Sequence, residues 1–96
     1  MIGSFDDGAL ESFYYRGPGR ESRSIPADIH GVLRRKLDQL YNAVDLTDLR
    51  VPPGNRLEAL KGERQGEYSI RVNDRWRVVF GWSGGAAQRV ALVDYH

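Results

Sequence analysis

Two hydrophobic periods meet at Gln65-Gly66, and together they dictate the order of elements in this chain. Before that point Ile29, Val32, Leu33, Leu37, Leu40 and Val44 recur at helical spacing, which predicts the main helix over residues 26–44. Pro26 suits its first turn because the proline ring presets a helical φ. After that point the period becomes two. Tyr68, Ile70 and Val72 alternate with Ser69, Arg71 and Asn73; Trp76, Val78, Phe80 and Trp82 alternate with Arg77, Val79 and Gly81. Each stretch is therefore a strand with one apolar face. Helices followed by a strand meander predict an α+β fold, with the N-terminal helices packed on one face of a small antiparallel sheet.

The remaining segments fit around that frame. Ile2–Phe5 reads as a short strand, and Asp6 or Asp7 can cap a helix over Gly8–Tyr15 with Leu10, Phe13 and Tyr14 on one side. Arg16-Gly17-Pro18-Gly19-Arg20 stops that helix and opens a polar loop over 16–25. Residues 45–55 are irregular, and Pro52-Pro53-Gly54-Asn55 predicts a rigid turn. Leu57–Leu60 is a short strand candidate, Lys61-Gly62 and Ser83-Gly84-Gly85 are turns, and Val90–Tyr95 is the last strand. With 96 residues and no repeat or linker, the expectation is one domain over 1–96.

Composition excludes several classes. There is no cysteine, so disulfides and thiolate metal sites are ruled out. Met1–Asp7 has neither the basic start nor the apolar core of a secretion signal, and no run is long enough to span a membrane, so the expected location is cytoplasmic. A net charge of +1 argues neither for nor against nucleic acid. The distribution is more telling, because Arg56, Lys61, Arg64, Arg71, Arg75 and Arg77 crowd the second half. A local cationic site can exist on a nearly neutral chain.

The hairpin register locates that site. A three-residue loop at Asn73-Asp74-Arg75 sets Val72 against Trp76, Ile70 against Val78 and Tyr68 against Phe80, all on one side. A two-residue loop scrambles the faces, and a slip of one residue is costly. The drawback of the longer loop is Arg75 where glycine is usual. On the opposite face Arg71 then stands across from Arg77, an unfavourable like-charge pair. It is tolerated on a solvated face with Asp94 as counter-ion, or where the site exists to hold an anion. If Val90 and Leu92 face the core, Ala91, Val93 and Tyr95 join the arginine face, which is expected to be an open surface. Trp76 and Trp82 read as core aromatics, and His30 on the long helix as structural or solvated. The last three residues, Asp94-Tyr95-His96, bring a carboxylate, a phenol and an imidazole to the end of a strand. His96 is the group poised for proton transfer near neutral pH.

Four stretches, Asp48-Leu49-Arg50, Pro52 to Gly62, Gly66 to Phe80 and the terminal Asp94-Tyr95-His96, together resemble the HigB toxins, the plasmid-maintenance killer branch of the RelE/ParE toxin superfamily. The resemblance runs nearly end to end and is strongest over 48–82 and the last three residues. It implies a RelE-like, microbial-RNase-type fold and a type II toxin that cuts mRNA on the 70S ribosome. Neither metal nor other cofactor is implied: the 2′-hydroxyl attacks the adjacent phosphate. The implied partners are a helix-turn-helix HigA-like antitoxin, the ribosome with its mRNA, and operator DNA through the antitoxin complex alone, with no membrane.

Carried onto matching positions, the resemblance makes His96, Asp94, Tyr95, Arg77 and Glu58 the catalytic set. Lys61 and Arg77 clamp phosphate with Arg71 in support, and Arg56, Asn73 and Arg75 complete the RNA-contacting group. Asp94 either orients His96 or acts as the base, and Tyr95 stacks on a base or donates a proton. Glu58 departs from the histidine that some members carry there. It serves as a base, or it pairs with Lys61 or Arg56. Two other functions stay open: a non-enzymatic, ParE-like inhibitor of DNA gyrase, and an inactive toxin that acts only in antitoxin binding and operon autoregulation.

Overall fold

The computed structural model describes residues 1–95. Two helices, α1 (Gly8–Arg16) and α2 (His30–Asn42), precede a four-stranded antiparallel sheet of β1 (Glu58–Ala59), β2 (Glu67–Arg71), β3 (Trp76–Ser83) and β4 (Ala86–Asp94), in the spatial order of the chain. This is the α+β architecture expected from the change of period. Among the described residues no helix is long and apolar enough to cross a membrane.

The hairpin register is the one the alternation predicts. Tyr68 pairs with Phe80, Ile70 with Val78, and Arg71 with Arg77. The Val72 amide donates to the Trp76 carbonyl at 2.9 Å, closing the turn. Asn73 replaces the expected glycine requirement: its Oδ1 accepts from the amides of Arg75 at 2.9 Å and Trp76 at 2.8 Å. Such an Asx turn bends the chain without a left-handed residue at 75. Among the described residues the left-handed non-glycine positions are Arg56 and Arg89.

Several boundaries differ from the expectation. The last strand starts at Ala86, not Val90, because a bulge interrupts the alternation: Val79 pairs with Ala91 but Gly81 with Gln88. Left-handed Arg89 absorbs the extra residue, so Ala87 and Val90 both reach the core although three positions apart. The N-terminal segment forms no strand ladder. Ile2 and Phe5 make isolated parallel bridges to Ala87 and Val90, which cover the free rim of β4. The long helix is shorter than 26–44; a 3-10 turn over Ala27–Ile29 leads into it, and the chain turns extended at Ala43. Val44 consequently leaves the apolar stripe and is exposed. Of the 57–60 stretch, Glu58–Ala59 pairs with β2 and the Leu60 amide donates to the Glu67 carbonyl at 2.8 Å. Within 16–25, Ser22 and Ile25 are buried around a 3-10 turn at Arg20–Ser22.

Both helices lie on the apolar face. Leu10 and Phe13 of α1 and Leu33, Leu37 and Leu40 of α2 meet Ile70, Val78, Phe80 and Val90, all essentially inaccessible. Each such side chain contributes about 1.5–3 kcal/mol through its burial. Trp76 and Trp82 are half-buried against this core, as expected of core aromatics. Asp7 joins helix to sheet: one carboxylate oxygen caps α1 at the Leu10 amide, and the other accepts from the Leu92 amide at 3.1 Å. The sheet is thereby braced behind the face that carries the arginines.

Candidate active site

On the face away from the helices, Arg71 and Arg77 stand side by side. Their repulsion is relieved because each guanidinium is drawn to a different partner. Arg71 pairs with Asp74 in the hairpin loop. Arg77 donates from Nε to Ser69 Oγ at 2.8 Å and from Nη2 to the Arg56 carbonyl at 2.7 Å, with Nη1 3.8 Å from Glu58 Oε1. These contacts correct the expectation of an open arginine face. Ser69 and Val79 are 0% and 1% exposed, and the Arg77 side chain is 11% exposed as it reaches across Ser69 to the 53–56 turn.

At the edge of this covered row lies a cleft of about 300 Å³ lined by Arg56, Glu58, Arg71, Asn73, Asp74, Arg77 and Tyr95. Tyr95 is 40% exposed, and its ring centroid is 6.0 Å from Arg77 Cζ, within cation–π reach. The register thus does place Tyr95 beside the arginines. Of the residues singled out in the sequence, Arg56, Glu58, Arg71, Asn73, Arg77 and Tyr95 are brought together. Three guanidiniums, a phenol and two carboxylates, one of them (Asp74) already paired with Arg71, surround one opening and suit an anion that must be gripped while protons move.

The other sequence candidates sit elsewhere. Lys61 is exposed just beyond β1 and is not among the lining residues. Asp94 lies opposite Trp76, on the helix side of the sheet, and not with Arg71 and Arg77 as their counter-ion. There Arg75 binds both carboxylate oxygens, with Nε at 3.0 and 2.9 Å and Nη2 at 2.8 Å. The hydrogen bonds and charge of Asp94 raise the Arg75 pKa further above its ordinary value. Glu58 forms its ion pair with Arg77, where the sequence pointed to Lys61 or Arg56. His96 lies outside the described residues. His30 is structural, as expected: its Nε2 is 3.2 Å from the Ile25 carbonyl and its ring packs on Phe13.

Sequence reasoning missed three residues behind the cleft. Ser69 counted as one more polar position on a solvated face, yet it is buried and holds Arg77. Asn55 counted as a turn former; its carboxamide is 0% exposed. Its Oδ1 accepts from Lys36 Nζ at 2.5 Å, and its Nδ2 donates to Gln39 Oε1 at 2.9 Å and the Leu49 carbonyl at 3.0 Å. Lys36 on α2 lies between Leu33 and Leu37 and flanks the apolar stripe. Burial, then the charges of Arg35 and Arg71, hold its pKa below the usual lysine value. Arg56 itself is left-handed, with φ 46° and ψ 55°. For a non-glycine residue this conformation costs about 1–2 kcal/mol.

A family model described as RelE-like toxin of type II toxin-antitoxin system HigB matches residues 3–96. Toxin HigB-1 of Vibrio cholerae serotype O1 is 46% identical over 92 residues, covering 96% of this chain and 95% of that protein. Endoribonuclease HigB of Proteus vulgaris is 29% identical over 96 residues and the full length of both. Among solved structures, a chain of the YoeB-YefM complex from Staphylococcus aureus superposes with a TM-score of 0.62 at 18% identity, covering 100% of this chain and 98% of that one. At that identity the likeness concerns the fold alone.

Proposed function

The chain belongs to the HigB-like family of RelE-like toxins from type II toxin-antitoxin systems, and from that premise we propose that it is a ribosome-dependent mRNA endonuclease. A relative that covers the whole chain carries the name endoribonuclease. The observation that carries the reading is the convergence of Arg56, Arg71 and Arg77 with Glu58 and Tyr95 around one cleft.

In the proposed reaction the 2′-oxygen of one nucleotide bonds to the adjacent phosphorus and the P–O5′ bond breaks. The proton of the 2′-hydroxyl passes to the Glu58 carboxylate, and His96 supplies the proton taken up by the departing 5′-oxygen. The products are a cyclic phosphate and a 5′-hydroxyl. Arg77, with Arg71 beside it, faces the charge that builds on the phosphorane oxygens; such preorganised donors are often the largest catalytic contribution. Tyr95 stacks on a base flanking the cut. Arg56 grips the strand at the rim, and Lys61 holds a phosphate beyond it. Asn73, Arg75 and Asp94 shape the hairpin and the end of β4 from which Tyr95 projects. No step calls for a metal or other cofactor.

The 1–96 stretch acts as one toxin domain in the cytoplasm. Its partners are the 70S ribosome with mRNA and a helix-turn-helix HigA-like antitoxin, through which operator DNA is reached. A nearly neutral chain binds naked RNA weakly, because phosphate affinity comes from massed cations. The ribosome therefore supplies orientation. The test is cleavage of mRNA in a translating extract, with and without ribosomes. Wild type cuts only with ribosomes, antitoxin suppresses cutting, and Arg77→Ala lowers the rate by about 10²–10³. Inhibition of gyrase supercoiling without RNA cleavage overturns the reading in favour of the ParE-like one. Unimpaired growth on expression without antitoxin overturns it in favour of an inactive toxin.

A further inference from the structure

A buried carboxamide behind the cleft is followed in the chain by a left-handed arginine at its rim, and substrate contact does not explain the carboxamide. Asn55 is 0% exposed and cannot touch RNA. Its side chain ties the 53–56 turn to α2 through Lys36 and Gln39, and to the preceding loop through the Leu49 carbonyl. The next residue, Arg56, is held left-handed, and its carbonyl accepts from Arg77 Nη2 at 2.7 Å. Strained backbone persists where its surroundings over-determine it, and it clusters at functional sites. At its other end Arg77 is fixed by Ser69 Oγ. The contacts to Ser69, Arg56 and Glu58 occupy at most three of the five N–H groups of a guanidinium, so an edge held at both ends remains for an anion.

We propose that Asn55, gripped by Lys36 and Gln39, is a positioning residue that sets Arg77 for its phosphate through the Arg56 carbonyl. The proposal rests on the endonuclease reading for its substrate, though not for the coupling itself. Asparagine is the side chain this role needs. It accepts from the Lys36 ammonium while donating to two oxygens, whereas aspartate keeps the first contact and turns the other two into repulsions.

The experiment uses the full chain in two arms. In the first, cleavage of mRNA on programmed ribosomes is measured for wild type, Asn55→Ala, Arg77→Lys and the double variant. Asn55→Ala lowers kcat by about ten- to a hundredfold with KM within about twofold, as misplacement of a catalytic cation does. In the Arg77→Lys background the same change costs less than about twofold, because the group it positions is gone. Loss of fold would multiply the two effects. In the second arm, which needs no activity, NMR follows the Arg77 Nη protons. They give separate signals in wild type and in Arg56→Gly, which keeps the left-handed carbonyl, and merge in Asn55→Ala or Asn55→Asp. If Asn55→Ala does not fold, Lys36→Met, which keeps the aliphatic stem, takes its place in both arms. Multiplicative losses in the double variant, or unchanged Arg77 signals in the Asn55 and Lys36 variants, overturn the proposal. A wild type that cleaves no RNA overturns the endonuclease reading and leaves the second arm to decide the coupling.

Discussion

Arg75 clasps both carboxylate oxygens of Asp94 across the open end of the sheet, with donor distances of 2.8–3.0 Å, while its backbone carbonyl accepts from the Tyr95 amide at 2.5 Å. One residue therefore holds the end of β4 twice, immediately before the side chains proposed to meet the substrate. The Arg75 guanidinium also lies 5.7 Å from the Trp76 ring. A planar fork on a carboxylate is a contact that lysine cannot reproduce.

The first prediction follows from that clasp. Arg75→Lys and Asp94→Asn each loosen the end of β4, so hydrogen exchange at the Tyr95 amide quickens and cleavage on ribosomes slows by about tenfold through lost orientation. The charge-reversed pair, Arg75→Asp with Asp94→Arg, recovers part of the protection. Equal exchange at Tyr95 in wild type and in both single variants counts against the clasp.

A second prediction concerns Glu58. It is the carboxylate nearest Arg77 in the cleft, and 59% of its side chain is exposed, so little of the fold depends on it. Glu58→Gln should leave Tm within about 2 °C, as surface changes do. The rate on ribosomes should fall by about 10²–10⁴, the usual worth of a positioned base. A full rate in the glutamine variant assigns Glu58 to simple pairing with Arg77 and passes the base role to another group.

Acid stability tests a different corner of the molecule. The Val44 and Asp45 amides donate to Asp48, and those backbone hydrogen bonds hold its carboxyl below the ordinary value of 3.8. A depressed folded-state pKa means stability that is present above 3.8 and is lost as pH falls through the lower folded value. Asp48→Asn should therefore lower Tm at neutral pH. The gap from wild type should close as pH drops below 3.8, which thermal melts across pH 2–7 would follow. A gap independent of pH rules out this account of the cap.

These sites were not equally readable from the chain. Strict alternation over Tyr68–Trp82 sufficed to pair Arg71 with Arg77, because period two leaves a single register that buries the apolar face, and Val90 and Leu92 turned to the core bring Tyr95 to the arginine side. Where alternation breaks, the reading stops: the bulge at Arg89 hides Ala86–Arg89, since a left-handed residue has no signature in hydrophobic pattern. Asn55 was unreadable for another reason. A Pro-Pro-Gly-Asn run encodes a turn, but which helix the asparagine then meets depends on tertiary packing. The same holds for Ser69, whose burial comes from the arginine that crosses it. Asp94 was misjudged because its neighbour Tyr95 lies on the arginine side, and one step along a strand changes the face.

The last prediction separates the two chemical faces of Tyr95. Its ring stands over the Arg77 guanidinium with 40% of the residue exposed, so the face turned from Arg77 is available to a nucleobase. Stacking of one base on an aromatic ring is worth about 1–3 kcal/mol. Tyr95→Ala should accordingly weaken kcat/KM by about 5- to 150-fold. Tyr95→Phe keeps the ring and removes the hydroxyl, so it should remain within about threefold of wild type if stacking is the role, since it forfeits no stacking area. A phenylalanine variant as slow as the alanine one would instead make the phenol a proton donor. Single-turnover cleavage of one defined mRNA on programmed ribosomes, run with all three side chains, distinguishes the two.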